Sequence, residues 1–162
     1  MSVTVRCKMA LQTTEVLETS VPAAGDASLL HNGYDTAVDV GAASSPPVSK
    51  CAFFEQALSD AAATIDLTAL VGSNGAAVDG TGLRVQFLKF RNKAGNANVM
   101  SLAIGAANGY DGFGAGFKIT LAPGAEQLVR TLDGGSDISG TNCELDLAGT
   151  GAQVAEMAIV MG

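Results

Sequence analysis

The sequence predicts an all-β chain, a single-domain antiparallel β-sandwich of jelly-roll-like form with at most one short helix. Three observations carry that expectation. Val3, Val5, Cys7, Met9 and Leu11 alternate with Thr4, Arg6, Lys8, Ala10 and Gln12, which is the period of a half-buried strand. Short apolar runs recur through the second half at 83–90, 99–104, 117–121, 128–132, 143–147 and 154–161, a spacing that suits sandwiches and jelly rolls. Asx-Gly pairs at 32–33, 74–75, 79–80, 108–109, 111–112 and 133–134 punctuate the chain, each able to supply the positive φ of a tight turn.

After the opening strand, residues 15–21 form a second, weaker candidate and 22–28 a loop. Leu29 and Leu30 lead into Asn32-Gly33, and 36–40 continues as a strand. Residues 42–49 (AASSPPVS) are the one Pro/Ser-rich segment. Pro46 and Pro47 cannot donate to a central ladder, so the segment reads as a crossing between sheets inside one domain spanning 1–162. A chain of this length is too short for two sizeable cores. Residues 50–67 read as two strands about Ser59 and Asp60, because Phe53 and Phe54 are adjacent and 63–67 alternates. A short helix capped by Ser49 is the alternative. In LRVQFLKFRN at 83–92, Val85 and Phe87 face one way and Leu88 and Phe90 the other. That switch calls for a β-bulge or an inter-sheet bend near Phe87 and Leu88. Pro123-Gly124 fits a type II turn, which splays a tight hairpin and is expected to join strands of opposing sheets. NGYD at 32 and again at 108 reads as a chance echo, helped by shared turn chemistry.

The formal charge of −7 argues against nucleic acid as a partner, since phosphate contacts need a basic surface. No run of about 18 apolar residues is present to span a membrane, and the N-terminal segment lacks the apolar stretch of a secretory signal. Cys7, Cys51 and Cys143 are far apart and form neither a disulfide framework nor a zinc pattern, so synthesis in a reducing compartment is expected. Charge is unevenly spread. Arg84, Lys89, Arg91 and Lys93 are four of the nine basic residues, while Glu126, Asp133, Asp137, Glu144, Asp146 and Glu156 follow with only Arg130 among them. The four cations are the candidate interface, expected to meet carboxylates of a neighbouring copy or of another partner surface.

Motifs for chemistry are absent. His31 is the only histidine and has no partner marked by sequence, and no G-x-S-x-G, H-E-x-x-H or Walker loop occurs. The glycines at 112, 114 and 116 lack the G-x-G-x-x-G spacing and precede a strand-like run, so they read as a hairpin tip. Asp133, Asp137, Glu144 and Asp146 are the one cluster that could hold a hard cation, and the expectation is an acidic loop without a specific ion. No catalytic, cofactor-binding or metal residue is assigned.

The pieces TIDL at 64–67, GLRV at 82–85, NAN at 96–98, NGY at 108–110, LAPG at 121–124 and DLAGTG at 146–151 give the stretch 53–161 a recognisable look. It resembles the small Gly/Ala-rich β-proteins encoded among virion structural genes of tailed bacteriophages. The resemblance implies a non-enzymatic virion protein, made in the host cytoplasm and acting as a capsid decoration or cement subunit. Its partners would be copies of itself and the major capsid protein. The alternative it implies is a host-recognition module of a tail fibre or spike, binding carbohydrate through turn-borne aromatics such as Tyr34, Tyr110 and Phe113.

Overall fold

The computed structural model describes residues 3–17, 27–131 and 135–162. They form twelve strands, and no helix is present among them. The sandwich expected over 1–162 is built from residues 50–161, because the strands within 4–41 pair only with each other. Its first sheet has the order β10 (Glu126–Arg130), β7 (Val85–Asn92), β12 (Val154–Met161), β3 (Lys50–Ala57). The second has the order β4 (Ala62–Asp66), β11 (Glu144–Ala148), β8 (Met100–Ile104), β9 (Lys118–Leu121). Every pairing within them is antiparallel. Apart from β8 and β9, which are neighbours, consecutive strands of this set fall in opposite sheets, which is the winding of a jelly roll. A two-stranded flap, β5 (Leu70–Val71) with β6 (Ala77–Val78), lies between β4 and β7 in sequence.

The main core lies between the two sheets. Leu88, Phe90, Met157, Ile159 and Met161 point into it from the first sheet, and Ile65, Leu102, Ile119, Leu145 and Leu147 from the second. Each such side chain contributes roughly 1.5–3 kcal/mol by burial. Two corners settle questions the sequence raised. At Ser59, the β3–β4 corner puts Asp60 and Ala61 at positive φ between reciprocal Ser59–Ala62 backbone hydrogen bonds, so the two-strand reading of 50–67 holds and the helix does not. At Pro123, Gly124 has φ 81° and the Ala125 N–H donates to the Ala122 carbonyl at 3.0 Å. This turn joins β9 to β10, strands of opposite sheets, as expected.

The switch in 83–92 is a bulge, one step earlier than expected. Val85 pairs with Met161 and Phe87 with Val160, leaving Gln86 as the extra residue. Val85 therefore joins Leu88 and Phe90 in the main core, and Phe87 alone turns outward. The pairing of Val85 with Phe87 on one face is thus corrected.

What Phe87 turns toward is a second, smaller core. β1 (Thr4–Leu17) and β2 (Ala27–Gly41) pair with each other alone as a long ribbon, and 42–49 carries the chain from it to the first sheet. Cys7 and Val40 from the base of the ribbon pack with Val48, Phe87 and Val160 on the outer face of that sheet. Asn32-Gly33 is not a turn. It lies within β2 beside a register shift opposite Ala10 and Leu11. The expected loop at 22–28 lies mostly outside the described residues.

Candidate interaction surface

The outer face of the first sheet is organised in three cross-strand rows. Register places Glu126, Arg91, Glu156 and Glu55 in one line across β10, β7, β12 and β3. The next line is Leu128, Lys89, Ala158 and Phe53, and the one after is Arg130, Phe87, Val160 and Cys51. The face therefore grades from charged to apolar, and its apolar end lies beneath the ribbon.

In the charged row, Glu156 and Glu55 are directly opposed, an arrangement that costs free energy unless cations intervene. Arg91 Nη1 meets Glu156 Oε2 at 2.9 Å, and its Nε lies 3.9 Å from Glu126. Lys93 Nζ meets Glu55 at 2.6 Å and Lys89 Nζ meets Glu126 at 3.0 Å. The hydrogen bond to Glu55 holds the Lys93 ammonium above its ordinary value. Lys89, Arg91 and Lys93 do share one face, and their carboxylate partners belong to the same chain. Arg84 stands apart, donating to Asp137 at 2.6 Å. Solvent screens such exposed pairs; they set the pattern of the surface more than its stability.

Along the ribbon, burial stops at its base. Side chains 8–16 of β1 and 28–30 of β2 are exposed on both faces, among them Met9, Leu11, Val16, Leu29 and Leu30. Ten residues from 8 to 17 extend about 33 Å. Between the ribbon base and the first sheet runs a groove of about 560 Å³, with Met9 and Ala10 on one wall and Phe53, Phe87, Lys89 and Ala158 on the other. The alternation at 3–11 was legible in sequence, but its outer half covers no core in this chain.

Among the described turn-borne aromatics, Tyr110 and Phe113 pack inward and do not offer a stacking surface. Tyr110 is fully buried, and burial pushes its phenol above the ordinary value. Phe113 packs edge-on against Tyr110 at 5.4 Å and stacks on Phe117 at 4.5 Å. The side chains of Tyr34 and His31 are outside the described set. In the acidic region, Asp137 faces Arg84, and Asp146 accepts from the Thr64 hydroxyl and the Ala106 N–H, each at 2.8 Å. Asp133 lies outside the described residues, among which no three metal-ligating side chains come together. Cys7, Cys51 and Cys143 are all free thiols.

Sequence reading missed the amide network that locks one end of the sandwich. Asn92, fully buried, donates to the carbonyls of Asn98 and Leu121 at 3.0 and 2.9 Å. Asn96 donates to Asn92 Oδ1 and accepts from the Val154 N–H, and Gln153 donates to Asn98 O. Polar residues beside a strand end read equally well as solvated loop, so nothing in the sequence marked them as buried.

No family model matches the chain, and no curated protein and no solved structure matches it either.

Proposed function

We propose that the protein is a non-enzymatic structural subunit of a virus particle, a capsid decoration or cement protein that works by associating with copies of itself and with the shell. The observation that carries this reading is the ribbon. A two-stranded hairpin is marginal in water unless it packs on something, and this one presents apolar side chains on both faces well beyond the body that anchors it. Such a ribbon is an assembly element in search of a surface. The resemblance of 53–161 to virion β-proteins supplies the setting, and the charge-patterned face with Lys89, Arg91 and Lys93 supplies an orienting surface beside the ribbon.

Copy number tests the reading. Particles purified from the phage that encodes the chain, analysed by quantitative mass spectrometry, are expected to carry it in hundreds of copies. A handful per particle would reassign it to a fibre or spike, and its absence from particles would end the virion reading.

A further inference from the structure

We propose that the cleft between the base of β2, the 42–49 crossing and the bulge of β7 binds a neutral polyhydroxylated ligand, a single saccharide unit. This goes beyond the assembly function proposed above and stands independently of it.

Three observations point to the site. The first is an orphaned acceptor. Gln86 is 3% exposed, and its Nε2 donates to the Gly162 carbonyl at 3.2 Å. That bond fixes the amide and leaves Oε1 with no hydrogen-bond partner among the described residues, which costs free energy in a buried acceptor. The second is how the residue comes to be there. Gln86 is the extra residue of the bulge, the device by which a strand re-aims one side chain. The third is its surroundings. Gln86 lines a cleft of about 290 Å³ together with Asp39, Ser44, Ser45, Arg130 and Thr131. Arg130 lies 5.9 Å from the centroid of the Phe87 ring and makes no ion pair among the described residues. The Ser44 wall is held in place, because the Gly41 N–H donates to Ser44 Oγ at 2.9 Å and the Ser44 N–H to the Gly41 carbonyl at 3.1 Å.

The ligand class follows from what these groups lack. Gln86 Oε1 needs a donor, and so does Asp39, whose one ion pair is a loose contact with Arg6 at 3.8 Å. Arg130 needs acceptors. Asp39 and Arg130 are the only charged residues lining the cleft, and one of each sign favours neither an anion nor a cation. An apolar ligand would leave Oε1 unpaired. Phe87 is 5% exposed beneath Arg130, so no ring face is open for a planar base to stack on. A hydroxyl both donates and accepts, and a ring bearing several can serve Gln86 and Arg130 together. A water could donate to Oε1 as well, but its share of volume is only about 30 Å³. The cleft has room for a sugar ring.

The test is a nuclear magnetic resonance titration of the full chain with glucose, galactose, mannose and N-acetylglucosamine. A ligand of about twelve non-hydrogen atoms should bind with a Kd of about 1 mM. The Gln86 side-chain amide and the Arg130 Nε–H should shift saturably with at least one sugar. Gln86→Met and Arg130→Met should each weaken that binding at least about tenfold. Arg130→Met has no ion pair to lose, so it carries the test if Gln86→Met lowers the melting temperature. No saturable shift with any of the four sugars overturns the site, as do shifts that survive both variants. Saturation by glycine or inorganic phosphate in place of the sugars overturns the neutral ligand class. A crystal grown in saturating sugar that shows only water at Gln86 Oε1 overturns it too. Methyl glycosides separate the sources: equal binding marks a unit within a glycan, and loss of binding marks a free sugar, either result supporting the site. Failure here leaves the copy-number test of the proposed function untouched.

Discussion

The hydroxyl of Tyr110 accepts a hydrogen bond from the Val85 N–H at 3.1 Å, so a ring carried by the segment after β8 completes the backbone at the bulge in β7. The bulge leaves that amide without a strand partner, and both groups are buried. Tyr110→Phe should destabilise the fold by about 1–3 kcal/mol, the cost of leaving a buried donor unsatisfied. Denaturant titration checks it, and a change under about 0.5 kcal/mol would show that the bulge finds another acceptor.

The same phenol sets a pH dependence. Its folded value is raised by burial, while in the unfolded chain it ionises near about 10. The neutral ring therefore contributes fully below about pH 10, and its contribution is lost as pH rises through the folded value. Stability should fall above about pH 10 more steeply for the parent than for Tyr110→Phe, as measured by urea melts across the alkaline range.

Reversing Lys89 and Arg91 to Glu places five carboxylates around the charged row, with Glu126, Glu156 and Glu55. Because the lost pairs are exposed, the cost to the fold should be about 1 kcal/mol per pair or less, a shift of a few degrees in melting temperature. Adding Glu126→Lys and Glu156→Lys should recover most of it. If the cations also orient an assembly contact, the double reversal weakens particle binding or self-association beyond what the melting shift accounts for; equal binding by parent and variant would leave them a purely intramolecular pattern.

Chelation should leave the melting temperature unchanged. Asp137 and Asp146 already have protein partners in Arg84, Thr64 and the Ala106 amide. A native-state ion would add RT ln(1 + [L]/Kd) to stability, so a fall of several degrees with chelator, restored by calcium, would place a cation in the acidic region.

Gly80→Ala should be disruptive. A methyl there would sit 2.6 Å from the Leu67 carbonyl and 2.7 Å from Met161 Sδ, and the backbone cannot yield without opening the core. A loss of about 1–3 kcal/mol is expected, read by thermal or urea unfolding, whereas Gly75→Ala meets no atom and is limited by its positive φ of 76° alone.

The sandwich was legible because its signals are local. A short apolar run predicted β12 at its observed bounds, and Pro123-Gly124 announced a crossing between sheets because a type II turn suits that geometry. The bulge was also visible, as a parity change. Its position was not, because a parity change is equally consistent with an extra residue at any of several sites, and only pairing with Met161 and Val160 picks out Gln86. The charged face was half legible. Clustered cations at 84–93 were plain, but the row that opposes them comes from Glu55, Glu126 and Glu156, which only register brings together. The ribbon was hidden for a different reason: alternation reports that a strand has an apolar face, and says nothing about whether that face finds a partner in the same chain.

β12 lies between β7 and β3 and feeds both cores, with Met157, Ile159 and Met161 on one side and Val160 on the other. During synthesis the ribbon, whose two strands are near neighbours in sequence, can zip up early, whereas neither core can close until residues 154–161 have left the ribosome. β12 is thus the keystone of the body and a floor of the groove, through Ala158 and Val160. A polypeptide cut short before it lacks the floor on which Cys7, Val40 and Phe87 pack together, and leaves the facing side chains of the main core uncovered.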